Sequence, residues 1–205
     1  MSEHDHGQHG EMSELEARVL AIESLLREKG LIESRDVDEI VYRYEHDIGP
    51  MLGARVVARA WNDPDFRDRL LADGTSAIRE MGIDAPDLEL VVVPNRPGLH
   101  NLIVCTLCSC YPWFVLGLPP VWYKSAPYRS RAVIEPREVL REFGLEIDGD
   151  TEVRVWDSSA EMRYMVLPER PPGTDGWSEE QLASLVTRDC MIGTALPAVP
   201  EVVRS

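Results

Sequence analysis

Three of the four cysteines in this 205-residue chain fall within six residues, in the run Val104-Cys105-Thr106-Leu107-Cys108-Ser109-Cys110. Thiolates are soft ligands, and three sulfurs this close together can converge on one transition metal without help from distant chain. A structural zinc site normally needs four Cys or His ligands, with a second pair further along. No second pair exists here, and the last histidine, His100, lies upstream of the motif. A disulfide with a spare thiol needs an oxidising compartment. The N-terminus carries no basic stretch followed by an apolar run, so no secretory signal is expected. Clustered free thiols then fit the cytoplasm.

The elements around the motif are built to present it. Val104 closes an apolar, β-branched run, Leu99 to Val104, that reads as a strand, and Pro112 stops regular structure soon after the last cysteine. A second strand is expected from Leu88 to Val93, joined to the first by the turn Pro94-Asn95-Arg96-Pro97-Gly98. Glu152 to Trp156 and Arg163 to Leu167 alternate as further strands. Helices are expected from Gly53 to Trp61 and then to Leu71, with Asp63-Pro64 as N-cap and first-turn proline. An arginine-rich helix follows from Tyr128 to Phe143, ended by Gly144. A last helix is capped by Ser178 and Gln181 and runs to about Arg188. Arg129, Arg131, Arg137 and Arg141 make a basic patch in an acidic chain, either a solvated face or an interface for an acidic partner.

The first sixty residues differ from the rest. Residues 1–12 are polar, contain His4, His6 and His9, and read as a disordered tail with a loose metal-holding capacity as the alternative. Ser13 and Glu16 form a capping box for a helix carrying Leu15, Val19, Ile22 and Leu26, which Gly30 ends. A second helix places Val37, Ile40, Val41, Tyr44 and Ile48 on one face. Two such helices make no core alone and need another surface. The expected organisation is a tail at 1–12, a helical arm at 13–60 and an α+β domain at 61–205, with a layered α-β-β-α core. The formal net charge of -15 argues against nucleic acid or an anionic membrane as partner. No apolar run approaches a membrane span.

Together with Tyr111-Pro112-Trp113, Leu116 to Pro120, Trp122 to Ser125, Tyr128 to Arg131, Arg154 to Ser158, Arg163 to Pro168, Gly173 to Trp177 and Thr187 to Asp189, the cysteine motif resembles the α subunit of nitrile hydratases. The resemblance spans Ser13 to Pro200. It implies hydration of a small-molecule nitrile to the amide, at a metal held by the sulfurs of Cys105, Cys108 and Cys110 and the peptide nitrogens of Ser109 and Cys110. An amide nitrogen is a very weak acid, so such a set demands a strongly polarising trivalent ion. Thr106 goes with Co(III) in that family, where serine goes with Fe(III). The resemblance further implies oxidation of Cys108 to a sulfinate and Cys110 to a sulfenate. It also implies a β subunit, whole or split, against which residues 13–60 lie, and an activator or metallochaperone.

Other roles follow from the same resemblance. Trp113 lines the substrate pocket, against the alternative of a core aromatic. Arg163 stands near the cluster, against the alternative of a solvated strand residue. The Ser109 hydroxyl bonds an oxidised cysteine. Cys108, Cys110, Trp113 and Arg163 are thus the candidate catalytic residues. Phe114, Leu52 and the stretch Ala85 to Leu88 depart from the family pattern, which points to an unusual nitrile, bulky or heteroaromatic and nucleoside-like. The rival readings are the cobalt-binding subunit of a thiocyanate hydrolase, where arginine commonly stands in place of Trp113, and a metal-binding module without catalysis of its own.

Overall fold

The computed structural model describes residues 14–33, 35, 38, 39, 49–108 and 110–199. The expected tail, the Ser13 cap and the second arm helix lie outside the described residues. The chain divides into two compact units, one up to Arg43 and one from Tyr44 onward. In the first, helix α1 spans Glu14–Glu28, and Gly30 just beyond it has φ 67°, the left-handed conformation that ends a helix. Val19, Ile22 and Leu25 on α1 are all more than half exposed.

The arm was expected to run to residue 60, and the division between the two units falls earlier, between Arg43 and Tyr44. Helix α2, Pro50–Asn62, belongs to the second unit, and its Ala54, Val56, Val57 and Ala58 are wholly buried there. A Cβ on Gly53 would come within 2.7 Å of the Met191 sulfur and 2.8 Å of a Leu116 methyl, so those side chains would have to shift to admit one. Asp63 then serves two helices. Its amide caps α2 at the Arg59 carbonyl, and its carboxylate accepts from Phe66 to start α3, Pro64–Ala72. Asp73 repeats the device, closing α3 on Arg69 and starting α4, Gly74–Glu80, through Ser76.

Strands β1, Glu89–Pro94, and β2, Leu99–Val104, follow. Although a short turn joins them, they form no hairpin. Each pairs in parallel with a later strand: β1 with β4, Met162–Leu167, and β2 with β3, Glu152–Asp157. All six residues of β2 are buried, as expected for the innermost strand of a layered fold. Helices α3 and α4 pack on β1, the two sheets meet through β2 and β4, and further helices pack on β2 and β3. The layers therefore run helix, sheet, sheet, helix.

Between β2 and β3 come the cysteine loop, α5 (Trp113–Leu116), a 3-10 turn (Val121–Lys124), α6 (Ala126–Ile134) and α7 (Pro136–Glu142). The single helix expected from Tyr128 to Phe143 is thus two. Pro136 lacks an amide hydrogen and is seated in the first turn of α7, so the chain breaks at Glu135. The helix started by Ser178 also stops early. Helix α8, Glu179–Ala183, has the full capping box with Gln181, and Thr187 starts a separate α9, Arg188–Ile192. Among the described residues, no helix is long and apolar enough to cross a membrane.

The basic patch resolves into local ties. Arg131 pairs with Glu135 and Glu142, Arg141 with Glu138, and Arg137 donates to carbonyls of residues 147–151. Arg129 alone of the four reaches the cysteine loop.

Candidate metal centre

The loop begins where β2 ends. Val104 lies opposite Asp157 in the β2–β3 register, and the ladder continues through Ser158 N–H to the Val104 carbonyl at 2.8 Å. β3 ends at Asp157, whose side chain takes over beyond that point. Its carboxylate accepts from the Thr106 amide at 2.9 Å and from the Thr106 hydroxyl at 2.5 Å. Two residues on, a guanidinium nitrogen of Arg129 donates to the Cys108 carbonyl at 3.0 Å. Two residues further, the Tyr123 hydroxyl donates to the Cys110 carbonyl at 3.0 Å. Tyr128, beside Arg129, ties α6 to the strand itself through the Ile103 carbonyl at 2.6 Å.

Held this way, the three thiols meet. Cys105 Sγ is 3.4 Å from Cys108 Sγ, and Cys108 Sγ is 3.0 Å from Cys110 Sγ. All three sulfurs lie within 4.8 Å of one another, and none is in a disulfide. The Cys108 amide also turns inward, 3.3 Å from the Cys105 sulfur. Cys105 is buried and Cys108 exposed, so the cluster is closed on the protein side and open on the other. Burial raises the Cys110 thiol to about 12, and its hydrogen bond with Cys108 adds to the shift, while the Arg163 charge opposes it. Crowded sulfurs that resist ionising in each other's company form a site for a cation. The donor set fits a thiophilic transition ion and fits poorly a hard ion that needs oxygen ligands.

Of the sequence-derived candidates, Cys105, Cys108 and Cys110 are brought together, and Arg163 stands near enough to act on Cys110 by its charge. Arg163 is half-buried on β4, in register with Leu90, and its Nε is buried without an acceptor. Trp113 opens α5 three residues beyond Cys110, is 37% exposed and meets Phe114 edge-on at 5.8 Å. Ser109 lies outside the described residues. Sequence reasoning missed Asp157, the Cys108 contact of Arg129, and Tyr123. Asp157 carried a signal, being a carboxylate that closes an alternating strand inside Arg154 to Ser158, a stretch already singled out.

A mixed α+β chain that ends its innermost strand in a three-thiol cluster, open on one side, defines a protein equipped to hold a soft metal ion. The model of the family described as nitrile hydratase, alpha chain, matches residues 13–195, and the chain belongs to that family. It is 57% identical over 188 residues to the α subunit of the low-molecular-weight cobalt-containing nitrile hydratase of Rhodococcus rhodochrous, covering 91% of each chain. It is 43% identical over 199 residues to the γ subunit of thiocyanate hydrolase from Thiobacillus thioparus, covering 91% of this chain and 82% of that one. Among solved structures, a double histidine-to-alanine mutant of the iron-type nitrile hydratase of Comamonas testosteroni Ni1 matches with a TM-score of 0.84 at 43% identity, over 93% of this chain and 98% of that one.

Proposed function

We propose that this chain is the metal-binding α subunit of a cobalt-type nitrile hydratase, hydrating a nitrile to the corresponding amide together with a β subunit. The observation that carries the reading is the convergence of three thiols on one open site after β2, in a chain of this family. Cys105, Cys108 and Cys110 would hold the ion through sulfur, with the peptide nitrogens of Ser109 and Cys110 completing the set. When bound, a trivalent cobalt ion supplies Lewis acidity. Cys108 and Cys110 serve as sulfinate and sulfenate, which places oxygen atoms around the open side. The Cys110 oxygen would then be a nucleophile toward the nitrile carbon or a base toward the attacking water, and Arg163 would offset the charge that gathers on it. The reaction adds one water across the carbon–nitrogen bond and needs no redox partner.

The exposed apolar residues of α1 are suited to the β subunit, as are Leu107 within the loop and Val121 beyond it, each 89% exposed. Cobalt is preferred over iron because Thr106 follows the first cysteine, and because cobalt-containing relatives are more similar in sequence than the iron-type structure. The test is intact mass with metal analysis, on the chain co-expressed with its genomic neighbours in cobalt-supplemented medium. The expected result is equimolar cobalt and a gain of about three oxygens on the Cys105 to Cys110 peptide. Zinc with unmodified thiols would overturn it.

The substrate reading is a bulky or heteroaromatic nitrile. Phe114 stands where the family commonly has proline, is buried and packs against Trp113, so it acts on the pocket wall through the tryptophan. Turnover of heteroaromatic against small aliphatic nitriles decides it, and a strong preference for the small ones sinks it. The likeness to a thiocyanate hydrolase subunit keeps thiocyanate as the competing substrate. Trp113 disfavours an anion, and the same assay run with thiocyanate separates the two.

A further inference from the structure

The cysteine loop is fixed at alternate residues by side chains from three separate elements. Asp157, the last residue of β3, takes both the amide and the hydroxyl of Thr106. Arg129, from α6, takes the carbonyl of Cys108. Tyr123, from the 3-10 turn, takes the carbonyl of Cys110. A loop whose thiols touch, with Cys108 exposed, would otherwise relax outward, because crowding polar sulfurs costs energy unless something else holds the backbone. Asp157 and Arg129 are suited to that task. Asp157 is exposed and Arg129 half-buried beside the loop, and neither α6 nor β3 depends on these contacts for its own hydrogen bonds.

We propose that Asp157 and Arg129 are positioning residues for the metal centre, bending the loop so that its sulfurs converge before any ion arrives. This rests on the metal-centre reading above and extends it to how the site is made. Asp157 acts as the side-chain continuation of the β2–β3 ladder, carrying strand geometry one residue past Cys105. Arg129 fixes the Cys108 carbonyl, and with it the placement of the second sulfur.

The test is titration of the full-length reduced chain with Co²⁺, followed by sulfur-to-cobalt charge-transfer absorption, with thermal unfolding of the metal-free chain in parallel. Asp157→Ala and Arg129→Ala are each expected to weaken Co²⁺ binding by about tenfold and to alter the absorption, while melting stays near the wild-type temperature. Asp157→Asn keeps an acceptor for the Thr106 amide and a donor for its hydroxyl oxygen, so it restores most of the affinity. Arg129→Lys, which keeps one charged donor, does so in part. Should an alanine variant fail to fold, Thr106→Val removes only the hydroxyl bond to Asp157 and is expected to give a smaller loss with the same change in absorption. Wild-type affinity and absorption in the variants overturn the proposal. So does a loss that follows the melting temperature and is not rescued by Asp157→Asn. If the wild-type chain itself gives no sulfur-to-cobalt absorption, the metal-centre reading falls and this proposal with it.

Discussion

The two ends of β2 treat polar groups in opposite ways. At its beginning, a buried network closes on itself. Asn95 Oδ1 accepts from the Asn101 amide at 2.8 Å and from the Asn101 side chain at 3.0 Å. Asn101 also donates to the Pro94 carbonyl and accepts from the Trp156 indole, each at 2.8 Å. His100 bridges Asn95, at 3.3 Å, and the Gly193 carbonyl, at 2.7 Å. Beyond the far end of the same strand, the thiols converge on one another with Cys108 exposed, and among the described residues the buried Nε atoms of Arg129 and Arg163 find no acceptor. An unsatisfied buried donor costs about 1–3 kcal/mol, so its presence marks a place where something is to arrive. One end of the strand is finished by folding. The other is left for an ion or a partner.

If that contrast is right, damage at the two ends should read out differently. The largest effect on stability is expected from Asn101→Leu, which fills similar space but strands the Trp156 indole and removes the side-chain bonds to the Pro94 carbonyl and to Asn95, leaving Asn95 Oδ1 only the backbone amide of residue 101. We expect a loss of about 3 kcal/mol or more in urea unfolding, since a half-satisfied buried network is worse than none. Gly193 makes the same point sterically. A Cβ there would lie 2.0 Å from the Asn101 carbonyl oxygen, and its φ of 96° suits only glycine. The contrast breaks if Asp157→Ala, at the open end, destabilises the chain more than Asn101→Leu does.

The open end was the legible one. Cysteine spacing names its own chemistry, because three soft ligands in six residues have few other uses, and the strand, loop and proline order followed from apolar runs and breakers. The double-duty caps at Asp63 and Asp73 follow the same local rules, though only the first was read. The parallel pairing of β1 with β4 was not legible, since a short turn between two apolar runs looks the same whether or not they pair with each other. The closed network was invisible for a related reason. Asn95, His100 and Asn101 look like turn and strand-edge residues until Trp156 and Gly193 are brought to them from far along the chain. Arg129 shows the limit most plainly: four arginines in one segment look alike in sequence, and only tertiary placement turns three of them to local carboxylates and carbonyls and the fourth to Cys108.

A smaller effect, set by pH, sharpens the comparison. Because Asn95 Oδ1 is taken by Asn101, the Asn95 amide nitrogen faces His100 Nδ1, which must accept, leaving Nε2–H to donate to Gly193. The network therefore requires neutral imidazole. Burial lowers the His100 pKa below its ordinary 6.5, and the bond to the Gly193 carbonyl opposes the shift without cancelling it. In the unfolded chain the same histidine takes its proton more readily. Between the folded and unfolded values the unfolded state thus binds more protons, and stability rises with pH. The contribution is complete above about 6.5 and is lost as the pH falls through that value toward the folded one, with a slope of at most about 1.4 kcal/mol per pH unit. Urea unfolding of the metal-free chain between pH 7 and pH 5 should show this slope, and His100→Gln, whose single amide cannot titrate, should flatten it. An unchanged slope in that variant would assign the acid sensitivity elsewhere and would leave the closed end of β2 as indifferent to protons as a purely apolar core.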